Sequence, residues 1–470
     1  MAFLLLATAF LNLGLSLPHA VANSPPNVYV GVDIAYGDVA EAKTLIDQVN
    51  SYTNLIIIGS SKITDNVAKL NETFQYAYDK GLSFISLTPG FNASDPAKRT
   101  AWYAWFDYAK KTWGSRLLGF YVFDEIGGRQ LDKNQTIVTD AIDYVDAASQ
   151  FESGVGGGLM SIVTNSYNST YFPLFTSDYA LYWFDYKAGY DVIFAELGWN
   201  YSKPLNIALD RGAATMEGKD WGAMVLWKYT VPPYIESGGD LYNDLTLAYV
   251  NGAKYIAVFD ANEGWTSGIL QKEHFQALQM FWHDVQNNSG VTRQTSDRTA
   301  YVLPDGYGFG FRGPDDKIWG LWEADDLAIP LSISVNDMLN TYGTSLDLIY
   351  DDGLQYGNTY GYNQVTYWNP PEVPPPTFPT PIPTPTLSPT SSPSLSPNPS
   401  PSPTSPTSST PAPSSLPTPS PRPTSSHTEQ PTSSPDPPKD PLSTNYVYTL
   451  SAGVAAAVVA VVVFVVRKRR

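Results

Sequence analysis

Acidic residues recur where short apolar runs stop. The run 117–123 ends in Asp124 and Glu125 and then breaks at Gly127 and Gly128. Asp33 lies in an earlier run, Asp185 and Glu196 end two later ones, Lys228 and Tyr229 end the next, and Asp260 and Glu263 follow the last. Two carboxyl groups facing one space are the minimum for cleaving a glycosidic bond: one protonates the leaving oxygen, the other activates water or attacks the sugar carbon. Tyr36, Trp183, Trp199, Trp227 and Trp265 stand among these acids. Rings stack on the C–H faces of a sugar while carboxylates bind its hydroxyls, so the mixture suits carbohydrate.

Glu125 and Glu196 are the expected catalytic pair. Glu125 shares strand parity with Gly119, Tyr121 and Phe123. If the small Gly119 marks the inward face, Glu125 points into the mouth and Asp124 faces outward or supports it. Glu196 lies two strands on, which puts the carboxyls roughly 7–10 Å apart, an inverting spacing. Asp33, Tyr36, Asp124, Asp185, Trp199, Trp227, Lys228, Tyr229, Asp260 and Glu263 are then substrate-binding or supporting residues. The same acids also have a structural reading, as partners of Lys228, Lys187 or Arg129.

Other chemistries find less in the chain. It has no cysteine, which removes disulfides, thiolate metal sites and a Cys nucleophile. The four histidines form no metal spacing; His274 and His283 fall on an outer helix as surface or packing residues. A Ser nucleophile would need a His base, and the mouth holds none. No EF-hand-type loop is present, so neither metal nor cofactor is expected. A formal net charge of −17 excludes nucleic acid as a partner.

The elements that carry these residues alternate. Strands are expected at 28–36, 55–59, 82–87, 117–125, 180–185, 191–196, 222–229 and 254–260. Helices are expected between them at 38–52, 64–80, 95–113, 135–149, 204–216 and 241–251, and after them at 270–285. Asp38 suits an N-cap, Gly81 a helix stop and Pro96 a first helical turn; 154–158 reads as a glycine-rich break. Eight such units over about 260 residues give a (β/α)8 TIM barrel, whose strand C-termini share one mouth. An open doubly wound sheet is the alternative, but no G-x-G-x-x-G follows an early strand.

The layout, with Gly119-Phe120-Tyr121-Val122-Phe123-Asp124-Glu125 and a Trp-bearing seventh strand, resembles the TIM-barrel glycoside hydrolases. Phe194-Ala195-Glu196-Leu197-Gly198-Trp199-Asn200 and 221–229 resemble exported, glycoside-hydrolase-like barrels of prokaryotes, archaea especially. In the large retaining clan the acid/base glutamate ends the fourth strand, which matches Glu125. The nucleophile ends the seventh, where this chain has Trp227-Lys228-Tyr229. That departure argues against the standard retaining pair and leaves Glu196 or Asp260 as second acid, or no catalysis.

The rest of the chain reads as delivery and tether. Residues 1–22 suit a signal peptide, with Ala20-Val21-Ala22 at the cleavage site. The barrel spans 23–292. A small α/β module follows at 293–368, with strands at 299–304 and 346–350 around a helix at 332–342; too small to bury its own core, it should pack on the barrel. Residues 369–445 are a Pro/Ser/Thr stalk, extended and PPII-like. Residues 446–466 are long and apolar enough to span a bilayer, and the basic tail 467–470 would stay cytoplasmic. Six N-x-S/T sequons, at Asn71, Asn92, Asn134, Asn168, Asn200 and Asn287, fit an extracellular globular part. Two functions follow: a membrane-anchored, cell-surface glycoside hydrolase, or a non-catalytic carbohydrate-binding or structural protein on a degenerate barrel.

Overall fold

Eight parallel strands close on themselves in the order β1 to β8. The computed structural model describes residues 28–88, 96–132, 137–163, 171–262, 264–287, 295–352 and 361–369. The expected leader, the stalk beyond 369, the membrane span, the basic tail and Glu263 lie outside the described residues. Among the described residues no helix is long and apolar enough to cross a membrane.

The first half alternates as the sequence pattern requires: β1 (Tyr29–Asp33), α1 (Val39–Val49), β2 (Leu55–Ile58), the short α2 (Ser61–Thr64), α3 (Val67–Asp79), β3 (Ser83–Leu87), α4 (Pro96–Trp113) and β4 (Leu117–Tyr121). Asp38 caps α1, accepting the N–H groups of Ala40 and Glu41 at 2.9 and 3.0 Å, while Glu41 accepts the N–H of Asp38 at 2.7 Å. That reciprocal arrangement satisfies orphan donors at both ends of the first turn.

The middle departs from expectation. β4 is followed at once by α5 (Ile126–Asp132), so Gly127 and Gly128 lie within a helix rather than at a break. A Cβ on Gly128 would sit 2.1 Å from the Tyr179 ring, so glycine is what lets α5 lie against the next strand end. The next helix, α6 (Tyr144–Val163), runs through the glycine-rich stretch. There a Cβ on Gly156 would lie 2.8 Å from the carbonyl oxygen of Ala188, so the glycines mark a close helix contact and not a loop. The fifth strand is β5 (Leu174–Asp178), and not 180–185, which instead opens α7 (Tyr182–Ala188). A short apolar run carries no decisive period. α7 is buried on every face but that of Lys187: Trp183 and Phe184 meet Tyr350, and Phe184 meets Trp319, with ring centroids 4.7–5.6 Å apart.

β6 (Val192–Leu197), α8 (Lys203–Glu217), β7 (Gly222–Val225), α9 (Gly238–Val250), β8 (Tyr255–Phe259) and α10 (Lys272–Asn287) complete the barrel, and β8 pairs with β1. Its interior is a packed plug of Tyr29, Leu55, Ile57, Phe175, Phe194 and Met224, among others. Tyr121 packs on that plug, and the alternation along β6 carries Glu196 to the same inward side as Val192 and Phe194.

The second module is a parallel sheet of three strands, not two: β9 (Thr299–Leu303), α11 (Ala328–Tyr342), β10 (Leu346–Tyr350) and β11 (Gln364–Tyr367), in the order β10-β9-β11. It packs on the barrel, as its size requires. Asp347, fully buried, accepts from Arg211 of α8 at 2.7 Å, from Arg298 at 2.5 Å and from the Tyr362 hydroxyl at 2.8 Å.

Candidate active site

The mouth is built from the ends of β4, β5 and β6. Beyond Tyr121 the chain leaves strand geometry: Phe123 and Glu125 have φ of 51° and 50°. Trp199, after β6, has φ 47°, and Trp265, after β8, has φ 60°. Positive φ is costly for such side chains, and its concentration at one end of the barrel is the kind of local strain that functional sites hold. The turn is pinned by the Glu125 N–H, which donates to Ser177 O at 3.1 Å, and by Asp178. Asp178 accepts the N–H groups of Gly127 at 2.6, Gly128 at 2.8, Tyr179 at 2.8 and Ala180 at 3.1 Å. Burial pushes its carboxyl up to about 6 against those four donors.

Glu125 and Glu196 face one pocket, and the charge of Glu125 bears on Glu196. Glu196 is 1% exposed; its Oε1 meets Ser177 Oγ at 2.8 Å, and its Oε2 has no hydrogen-bond partner among the described residues. Two neighbouring carboxyls in a buried pocket resist ionising together. Glu125, nearer the opening, is pushed up to about 8, first by burial and then by Asp124, while Arg129 pulls it down. Glu196 is raised well above the usual carboxylate range, again first by burial and then by Glu125. Tyr121 links the pair to Asp124: its hydroxyl lies 2.8 Å from Ser177 Oγ and donates to Asp124 Oδ1. Arg129 stands 3.8 Å from Asp124 and 3.7 Å from Glu125, so the salt-bridge reading holds in part. Lys187 and Lys228 pair elsewhere, with Asp352 at 3.2 Å and Glu236 at 3.6 Å.

The remaining expected residues divide. Asp33, buried at the end of β1, is raised by burial and by Asp124, and its Oδ1 has no hydrogen-bond partner among the described residues. Asp260 accepts the Leu270 N–H at 3.0 Å and is pushed by burial to about 6. Tyr36 meets Trp265 edge-on at 5.2 Å. Trp199 and Trp227 meet at 5.4 Å, with the Trp199 N–H donating to Trp227 O at 3.0 Å. Tyr229 is exposed at the rim. Asp185 is a correction: it belongs to α7, fully buried behind the mouth beside Asp178, and ends no strand. The sequence reading missed Asp178, Ser177 and the stacked pair Tyr179–Tyr201, whose rings lie 5.3 Å apart at 13°. Tyr201 flanks both glutamates, and Arg312 of the second module reaches over to Tyr179 and to Asp132, the latter at 2.6 Å. An acid closing the run 174–178 was the available signal for Asp178.

His274 is buried, accepting the Gln271 N–H at 2.9 Å and lying 2.9 Å from Glu236 O; His283 is exposed. Among the described residues no three His, Asp or Glu side chains are placed to hold a metal ion. A cavity of about 240 Å³ opens between the loops after β7 and β8, lined by Pro232, Pro233, Tyr234 and Asn262 among others.

No protein-family model matches this chain. No curated protein sequence matches it either. Solved structures similar to it include a glycoside hydrolase described as GH5_18 from Streptomyces cattleya in complex with GlcNAc, at 10% identity and a TM-score of 0.46, over 72% of this chain and 98% of that one. An endo-1,4-beta-mannanase from Eisenia fetida aligns at 10% identity and a TM-score of 0.37, over 57% and 94%. A xylanase from Cellvibrio japonicus aligns at 11% and 0.34, over 54% and 98%. A 3-hexulose-6-phosphate synthase from Salmonella typhimurium is also similar, at 11% and 0.29, over 55% and 99%. The likeness is one of barrel architecture, and the chemistry rests on this chain's own residues.

Proposed function

We propose that the mouth is a glycoside-hydrolysing site whose two working groups are Glu125 and Glu196. The observation that carries this reading is the convergence of the two glutamates, from the turn after β4 and the end of β6, at the C-terminal end of the barrel, where barrel enzymes keep their chemistry. Environments that push two acids apart in acidity assign their roles. Glu196, the deeper of the two, keeps its proton and is the general acid. Glu125, at the opening, loses its proton first and is the base or nucleophile. This reverses the roles that the retaining-clan resemblance implies. The anomeric carbon and its glycosidic oxygen must enter between the two carboxyls, which glycosidases hold roughly 5–10 Å apart. The half-buried rings of Trp199, Trp227 and Tyr201 would flank the sugar. The leader, stalk and apolar span read from the sequence support a tethered protein whose barrel faces outward, acting on extracellular carbohydrate.

The burial of Glu196 favours a second reading, in which the pair is a structural dyad and the mouth only binds sugar. One experiment separates them. The full-length chain is assayed on a polysaccharide panel and on aryl glycosides, beside Glu125→Gln and Glu196→Gln. On polysaccharide each variant should lose on the order of 10²–10⁴-fold in kcat. On an aryl glycoside with an acidic phenol, which needs no proton, E196Q should recover and E125Q should not. Binding without turnover in the parent chain selects the second reading.

A further inference from the structure

Four groups stand in series from the floor of the mouth to its lip. Glu196 Oε1 meets Ser177 Oγ at 2.8 Å, Ser177 Oγ meets Tyr121 Oη at 2.8 Å, and the Tyr121 hydroxyl meets Asp124 Oδ1. The Ser177 N–H donates to Tyr121 Oη at 2.9 Å and holds the phenol oxygen in line. The ends differ sharply: the Asp124 side chain is 51% exposed, whereas Glu196 is 1% exposed.

Proton counting is decisive. Three oxygen–oxygen contacts need three hydrogens, and the two hydroxyls supply one each. The third belongs to a terminal carboxyl, Asp124 or Glu196. With the proton on Glu196, Glu196 donates to Ser177, Ser177 to Tyr121 and Tyr121 to Asp124. With it on Asp124, all three bonds reverse. The two arrangements differ by one proton moved from end to end, with every contact satisfied in each.

We propose that Tyr121 and Ser177 form a proton relay joining buried Glu196 to solvent through Asp124. When Glu196 gives its proton to a leaving oxygen, its O–H bond breaks and a carboxylate remains. Asp124, protonated from water, passes its proton to Tyr121 Oη; Tyr121 passes its own to Ser177 Oγ, and Ser177 passes its own to Glu196. Each hydroxyl gains one proton and loses one. Buried Glu196 is thereby recharged without opening the site. The charged and titratable groups facing Glu196 are Glu125, Asp124 and Asp178, with Tyr182 and Tyr201 beyond them and Arg129 beside Glu125 and Asp124. The relay's use in turnover rests on the glycosidase reading; its existence does not.

The test is carbon-13 NMR of the full-length chain labelled at Asp and Glu carboxyls, with signals assigned through D124N and E196Q. The Asp124 and Glu196 signals should titrate together in the parent chain, since one proton serves both. In Tyr121→Phe and in Ser177→Ala each should titrate alone, while Ser177→Thr, which keeps a hydroxyl, restores the coupling. A merely structural role for these side chains would lower the melting temperature without uncoupling the signals. Independent titration in the parent chain, or coupling that survives Y121F and S177A, overturns the relay. Coupling without turnover on any glycan leaves the relay standing and removes the hydrolase.

Discussion

Replacing Glu125 by glutamine should stabilise this protein at alkaline pH, although it removes a native side chain. Glu125 sits at about 8 in the fold against an ordinary value of 4.5. A carboxyl raised on folding binds more protons folded than unfolded. Its stabilising share is therefore complete below pH 4.5 and is lost as pH rises towards 8. Between pH 5 and 8 the unfolded chain is ionised at this site and the folded chain is not. Three units at 1.36 kcal/mol each make the loss about 4 kcal/mol. Glutamine fills nearly the same space and does not titrate, so Glu125→Gln should escape that loss. Raised acids away from Glu125, Asp33 and Asp185 among them, titrate in both proteins and largely cancel in the difference. Melting curves of the two proteins taken from pH 5 to 8 should diverge, with the variant ahead at pH 8 by on the order of 5–8 °C. Most substitutions at ordered sites destabilise, so the sign is diagnostic. Parallel curves would mean that Glu125 is hydrated and ordinary, and its assignment as the base that ionises near pH 8 would go with it.

Two further outcomes follow from the same geometry. Below about pH 8 Glu125 holds its proton and cannot act as a base, so kcat/KM on a glycan substrate should climb through about pH 8 rather than near 5; a limb near 5 would contradict the burial of Glu125. Asp347→Ala leaves Arg211 and Arg298 buried without their carboxylate and should cost about 3–5 kcal/mol, read by urea unfolding; a loss under about 1 kcal/mol would mean that the second module does not depend on this contact.

How much of this was legible beforehand varied by element. Asp33, Glu196 and the first four strands follow from runs that are long, apolar and cleanly stopped, because parallel strands buried on both faces need that pattern. The fifth unit was misread for a physical reason. A helix buried on every face but one, such as α7, loses its amphipathic period and looks like a buried strand. The glycines of α5 and α6 were misread as breaks because their role is close approach, which depends on a partner distant in sequence: Tyr179 for Gly128, Ala188 for Gly156. The orientation of Glu125 was beyond reach as well. Positive φ at Phe123 and Glu125 ends the strand parity used to aim Glu125, and no residue in that turn is glycine to announce it.

The mouth's acidity also argues about what it receives. Ionised carboxylates packed at this density would draw cations, yet each buried acid here is answered in another way. Asp178 is met by four backbone N–H groups and Asp260 by the Leu270 N–H. Asp33, Asp185 and Glu196 each keep an oxygen without a hydrogen-bond partner among the described residues, and burial raises them toward the neutral form. A protonated carboxyl both donates and accepts, like the hydroxyls of Tyr121 and Ser177 beside it. The floor of the barrel is thus far less negative than the net charge of −17 implies, and it offers donors and acceptors in alternation. That surface matches a neutral ligand dense in hydroxyl groups better than it matches a metal ion or a cationic ligand, and it does so whether or not a bond is broken there.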